Sequence, residues 1–283
     1  MLFSVSDCAV SGQQVHDMKI YLSIFRIRFI HSVQYRIVVF SLVFTGFLWG
    51  WMLVLAYCAF YRSDPDAFPM TLSQTVSYMW LQQLFLNMFS IVFTDHEIES
   101  SVESGTITYE LIRPVDLYGR WFSRACATRV AYTVFRLPLL IILFFIPQPY
   151  GLSLPPDIFQ SILFVPSVIL ALGVTVSLTM TMYVTLFYTV SFGGVYVMVI
   201  AAASFLTGAL IPFPFLPSPV RSVLEALPFA AMQNMPFRIY NGNIAGFDTL
   251  RGVVFQMCWL VLLIAAGKFL MRRALNKVIV QGG

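Results

Sequence analysis

Residues 37–60 read IVVFSLVFTGFLWGWMLVLAYCAF, 24 residues without a charge. At about 1.5 Å per residue such a run crosses the roughly 30 Å of a bilayer's hydrocarbon core. It lacks the alternation of apolar and polar residues that marks the strands of a membrane barrel. Only helices and closed barrels satisfy every backbone group in hydrocarbon, so the run reads as a membrane helix.

The rest of the chain agrees. Of 283 residues, 17 are Lys or Arg and 13 are Asp or Glu, so charged residues make up 11% where a soluble domain carries about 25%. Apolar residues reach 59%, 27 of the residues are phenylalanine, and the mean hydropathy is +0.81. That excludes a soluble enzyme, a nucleic-acid module and a disordered chain. Cys8, Cys58, Cys126 and Cys258 form no CxxC pair and give no disulfide framework. Residues 1–16 lack the apolar core of a cleavable signal, so the N-terminus is expected to be retained.

Six spans are expected, at 37–60, 74–94, 125–147, 160–187, 194–213 and 250–271, the fourth and fifth separated at Gly193-Gly194. The second is the most polar, with Gln82, Gln83 and Asn87 inside it. Twelve basic residues, among them Lys19, Arg113, Arg120, Arg124, Arg129, Lys268 and Arg272, fall at one side, against Arg62, Arg221, Arg238 and Arg251 at the other. The positive-inside rule then puts both termini in the cytoplasm. The fold expected is all-α and integral to the cell (inner or plasma) membrane. It divides into a cytoplasmic N-terminus at 1–36 and a six-helix transmembrane domain at 37–283.

Three segments lie outside the spans. Residues 18–36 read as a basic interfacial helix with an apolar stripe of Met18, Leu22, Phe25, Phe29 and Val33. Ile20, Ile24 and Ile27 on the opposite side suggest that it packs on protein as well as lipid. The inner loop 95–124 holds six of the thirteen acids, Asp95, Glu97, Glu99, Glu103, Glu110 and Asp116, where positive charge normally collects. Asp95 should cap a short helix that Gly105 ends, and Pro114 stops a helix from continuing past Arg113. Such a helix suits contact with another protein, or it is only a solvated connector. The outer stretch 214–249 is apolar and proline-rich, which calls for short broken helices that re-enter the membrane face between spans five and six.

Arg136, followed by Pro138, is the one strong charge placed deep in an expected span. It lines a path or bonds a polar helix such as span two, and Gln83 and Asn87 carry the same two readings. Thr175, Ser177, Thr179 and Thr181 read chiefly as sources of helix-to-helix hydrogen bonds. An ion-coupled secondary carrier would place an acid or histidine within the bilayer, whereas all thirteen acids and His16, His31 and His96 fall outside the spans. No HExxH is present for an intramembrane metalloenzyme, and a non-transporting membrane scaffold remains open.

Several strings recur in a definite order. They are Gln34-Tyr35-Arg36, then Ile98 with Glu103-Ser104-Gly105-Thr106-Ile107 and Leu111-Ile112-Arg113-Pro114-Val115, then Phe187-Tyr188-Thr189. Gly208, Ile211-Pro212, Phe215-Leu216-Pro217, Leu227-Pro228-Phe229, Pro236 and Gly242 follow, and Val280-Gln281-Gly282-Gly283 ends the chain. Together they resemble the permease (membrane) subunits of the type 2 family of ATP-binding-cassette transporters, six-span branch. Tyr188 departs from the Trp that the resemblance leads one to expect.

The resemblance implies that Arg26, Arg28, Tyr35 and Arg36 belong to a connecting helix. It implies that the helix near 96–107 is a coupling helix, with Glu97, Glu99, Glu103, Gly105, Arg113 and Pro114 at the ATPase contact. Gly208, Pro212, Pro217, Pro228 and Pro236 shape the outer hairpin. Its partners would be a cytoplasmic ATP-binding-cassette ATPase, a second permease, identical or related, and the lipid bilayer, with no nucleic acid. No GxxxxGK[ST] is present, so this chain is expected to be no enzyme and to bind no cofactor, with ATP and Mg held by the ATPase. Export of a lipophilic or amphipathic small molecule by alternating access is the activity implied. Lysine at Glu99 and Glu103 is expected to uncouple the two subunits.

Overall fold

The computed structural model describes residues 5–34, 36–63, 68–113, 115–188, 192–209 and 211–276, and among them the regular structure is helical throughout. The helices are α1 (Val5–Gln34), α2 (Arg36–Ser63), α3 (Leu72–Leu84), α4 (Leu86–Phe89), α5 (His96–Glu103), α6 (Thr108–Leu111) and α7 (Leu117–Val134). They continue with α8 (Leu137–Phe145), α9 (Ile158–Thr185), α10 (Phe192–Leu206), α11 (Ser218–Ala226), α12 (Asn234–Tyr240) and α13 (Phe247–Leu275). Two 3₁₀ turns, Phe213–Phe215 and Pro228–Ala231, complete the hairpin between α10 and α12.

Four stretches are long and apolar enough to cross a bilayer: Phe40–Ser63, Leu117–Phe145, Ile158–Thr185 and Phe247–Leu275. They correspond to expected spans one, three, four and six. The third begins at Leu117 rather than 125, which draws Arg120 and Arg124 into the helix. Expected spans two and five are helical but shorter. The second is interrupted at Phe85, leaving α3 and the single turn α4. The fifth, α10, ends at Leu206 because Gly208 turns the chain with φ +75°, and a Cβ there would lie 2.7 Å from the Phe213 ring. The break before α10 falls ahead of Gly193-Gly194, which lie inside its first turn. Both short helices are well under the ~20 residues a straight crossing requires.

Helix α9 is the central element, buried from Ala171 to Val184 along most of its length. Helix α13 packs along α9, α1 along α7, α2 along α3, and α12 against α9. In the α9–α13 seam the Gln256 amide accepts from Ser167 Oγ at 2.8 Å and donates to the Ala231 carbonyl at 2.8 Å. Thr71 starts α3 with a reciprocal capping box: Gln74 N donates to its hydroxyl at 3.3 Å, and Thr71 N donates to Gln74 Oε1 at 3.0 Å.

The basic N-terminal helix begins at Val5 and not near residue 18, and its buried side differs from the expected stripe. The difference lies at its start: Met18 and Leu22 are exposed, while Phe25, Phe29 and Val33 of the stripe turn inward together with Ile24, Arg28 and Ser32. The reason is the neighbour: α1 lies against α7, where Ser123 Oγ donates to the Tyr21 carbonyl at 2.7 Å. Apolar side chains left exposed, such as Met18, Leu22 and Ile27, suit the lipid interface.

Gly50 lets α2 approach α3, since a Cβ would stand 2.7 Å from the Trp80 ring and 2.8 Å from Gln83 Cγ. Gly50→Val should therefore destabilise the bundle by about 1–3 kcal/mol through overpacking. Thermal unfolding in detergent measures this, and an unchanged midpoint would show that α2 and α3 do not meet there.

Candidate functional site

Helix α5 is fixed by a charge cluster. Asp95 caps it, accepting from Glu97 N at 3.1 Å, and the same carboxylate accepts from Arg28 Nη2 at 2.9 Å and from Arg124 Nε at 2.6 Å. Arg28 also reaches Glu97 Oε1 at 3.2 Å, and Arg124 Nη2 pairs with Glu97 as well. Arg28 comes from α1 and Arg124 from α7, so two carboxylates join three helices. A fourth tie runs from the Asp95 N–H to the Tyr183 hydroxyl on α9 at 2.6 Å. Burial acts to raise the Glu97 pKa, but the Arg124 and Arg28 guanidinium groups outweigh it and hold it below the ordinary carboxylate value.

The following turn is anchored in the same way. Glu110 on α6 accepts from Arg120 Nη2 at 2.7 Å and from the Trp121 indole at 2.9 Å. Between these anchors Ile98 and Ile107 are buried. The loop is thus a built structure rather than a solvated connector. Much of its acidity balances arginines of this same chain, because α7 starts early enough to bring Arg120 and Arg124 beneath it.

The residues expected at the ATPase contact separate into two groups. Glu103, Gly105 and Arg113 are exposed, and Glu97 is exposed while ion-paired. The Glu99 side chain is only 13% exposed and faces His96 Nδ1 at 2.9 Å. Pro114 and Tyr35 lie outside the described residues. Tyr109, which the sequence reading did not single out, and Ile112, which it quoted only within a string, stand 74% and 76% exposed in the same loop. Arg26 is exposed, Arg28 is in the clamp, and Arg36 opens α2.

Buried polar side chains meet carbonyls freed at helix ends. Arg136, 3% exposed, donates to the Gln83 carbonyl at the α3–α4 break and to the Leu42 carbonyl of α2 at 3.3 Å. Arg129 donates to the Ser90 carbonyl below α4 at 3.1 Å and to Thr179 Oγ1 at 2.9 Å. Gln82 donates to the Ala209 carbonyl, and Gln233 to the Thr207 carbonyl at 3.1 Å, both just beyond α10. Gln83 and Asn87 are buried too. In α9, Thr175, Ser177, Thr179 and Thr181 bond the carbonyl four residues back in their own helix, and Thr179 also receives a bond across helices from Arg129. Sequence reading counted Arg129 and Arg124 merely as orientation charges. The signal available was Arg120 and Arg124 at helical spacing, opposite acids at 95, 97 and 110.

In the hairpin, Pro212 and Pro217 precede short helical pieces, Pro228 starts one, and Pro236 lies in the first turn of α12. Each N–H that proline lacks is one a helix start leaves unpaired anyway.

Two expectations follow. Arg136→Met removes the donor from the Gln83 carbonyl and should cost about 1–3 kcal/mol, read as a lower unfolding midpoint. For the clamp, the depressed Glu97 pKa contributes stability that is present above about pH 4.3 and lost as pH falls through the folded-state value. Amide protection across α5, corrected for intrinsic exchange, should drop there, and Glu97→Gln should show weak protection already at pH 7.

No curated protein sequence matches the chain. A family model described as ABC-2 family transporter protein matches residues 47–282. The match covers most of the chain and includes the α5 loop, both interrupted helices and the proline hairpin, and the chain belongs to the ABC-2 family of transporter proteins.

Proposed function

We propose that this ABC-2 transporter permease works with a separate ATP-binding-cassette ATPase, docked at the end of the bundle that carries α5. The observation that carries the reading is the α5 clamp. A force applied to α5 meets a helix tied by short charge-assisted bonds to α1, α7 and α9, so displacement passes into the helices instead of being absorbed by a loose loop. The exposed face of that loop, with Glu103, Gly105, Tyr109 and Ile112, is the surface offered to the ATPase. Its mixture of one acid and two large apolar groups suits a protein better than an anionic membrane.

The α5 end is then cytoplasmic, in keeping with the basic residues gathered on that side. Expected spans two and five complete six passes as interrupted helices, with the hairpin dipping into the outer face. ATP-driven closure of the ATPases moves α5, and the bundle alternates between inward and outward access. Gln83, Asn87 and Arg136 are buried within the protomer here, so a route along them opens only when α2 and α3 part. Lipid-sized apolar rows on α2, α9 and α13 suit a second permease and an amphipathic cargo that is exported.

Glu99 is a poor probe, because its side chain packs inward, so the test uses exposed positions. Purification of the wild-type chain from its native membrane should bring down a subunit with a phosphate-binding loop. Glu103→Lys combined with Ile112→Asp should reduce that recovery at least tenfold while leaving the unfolding midpoint unchanged. Equal recovery with the double variant would overturn α5 as the docking element, and absence of any ATPase from the wild-type preparation would overturn the partner itself.

A further inference from the structure

A cavity of about 410 Å³ opens beneath α5, bordered by Arg129 of α7, Arg28 of α1, and Asp95 and Glu97 at the start of α5. Phe93, Thr94 and Tyr132 supply part of its wall. Its volume is in the range of small-molecule sites. Arg129 is 1% exposed and has no carboxylate partner among the described residues. Its Nη2 is occupied by the Ser90 carbonyl and Thr179, but its buried Nε–H has no hydrogen-bond acceptor. The ring of Phe93 lies 5.9 Å from its guanidinium carbon, which is a weak substitute for an anion.

The two acids bordering the cavity do not serve Arg129, because Arg28 and Arg124 hold both of them. Glu99, one turn further on, pairs with His96. Arg129 is therefore left without a carboxylate of its own, and it is the most deeply buried of the three arginines. A buried cation without an anion is costly, and an anion able to enter would relieve it.

We propose that this cavity binds a phosphate-type oxyanion, free or carried on a lipid headgroup, with Arg129 as its anchor. A tetrahedral group accepts from several directions at once, which suits a cavity lined by an arginine together with the hydroxyl-bearing Thr94 and Tyr132. The apolar part of an amphipathic carrier lies along Phe93 and Tyr132. Occupancy bears on α5 directly, since the cavity wall includes Tyr183, which accepts from the Asp95 N–H, and Tyr196, which donates to the Val92 carbonyl at 2.8 Å. The site is filled without ATP, so its occupancy and the ATPase partnership are tested separately.

The experiment uses the full-length chain in a maltoside detergent and phosphate-free buffer, titrated calorimetrically with inorganic phosphate, dioctanoyl phosphatidic acid and dioctanoylglycerol. Saturable binding of phosphatidic acid is expected, with none of dioctanoylglycerol. Binding of inorganic phosphate as well identifies a site for free anions, and binding of phosphatidic acid alone identifies a headgroup site; both sustain the proposal. Arg129→Gln should weaken binding at least tenfold, while Arg251→Gln, on the exposed start of α13, should leave it unchanged. Thr128→Trp fills the cavity with the arginine still present and should also weaken binding at least tenfold, which keeps the test decisive if Arg129→Gln does not fold. Failure of both phosphate carriers to bind, equal binding of dioctanoylglycerol, or full affinity in Thr128→Trp would overturn the site.

Discussion

The constraint on which this structure depends is the backbone carbonyl freed wherever a helix stops inside an apolar bundle. Water is absent there to accept the loss, so each such group needs a donor from within the protein. Arg136 meets Gln83, Arg129 meets Ser90, Gln233 meets Thr207, Gln82 meets Ala209, and Gln256 meets Ala231. Gln74 and Gln160 do the same for Asn241 and Ile244 at the hairpin, at 3.0 and 3.2 Å. Six buried side chains, Gln82, Arg129, Arg136, Gln160, Gln233 and Gln256, are thus the counterparts of broken helices. Donors at helix C-termini, where the macrodipole is negative, suit arginine particularly well.

Breaks of this kind allow motion. A helix interrupted at Phe85 or halted at Gly208 can change direction at one point without losing its packing elsewhere. The same bundle contains an element that is held firmly, the α5 loop, with its acids on Arg28, Arg124 and Arg120. The bundle thus combines rigid attachment at α5 with interrupted helices at α3–α4 and α10. Asp95, Glu97 and Glu110 are tied up inside the molecule, whereas Glu103, Tyr109 and Ile112 of the same loop remain exposed.

Much of this was legible in advance. Continuous apolar runs locate α2, α9 and α13 to within a few residues, since a bilayer's thickness leaves a helix little choice of length. The cap at Asp95 and the proline-broken hairpin were equally readable, because local backbone chemistry decides both. The second and fifth expected spans were not, since hydropathy integrates over a window and does not register an interruption at Phe85. Helix α7 was misjudged at its start because Arg120, Arg124 and Arg129 lower the mean hydropathy, although each has a partner that lets it be buried. Glu99 illustrates the same limit: an acid on a short helix reads as outward until the rotation of that helix is known.

The sequence by itself determined that the chain is helical and membrane-embedded, and the order of its motifs pointed to its family. Composition and uninterrupted length suffice for the first, because hydrocarbon permits so few backbone arrangements. Only the tertiary structure decided which charges are exposed, which are clamped and which remain unpaired. Those distinctions depend on groups tens of residues apart, such as Arg28 with Asp95 or Arg129 with Ser90, and no local pattern encodes the distance between them. Three arginines that look alike along the chain consequently differ in role: Arg124 grips α5, Arg136 closes a helix end, and Arg129 borders a cavity with its Nε–H unpartnered.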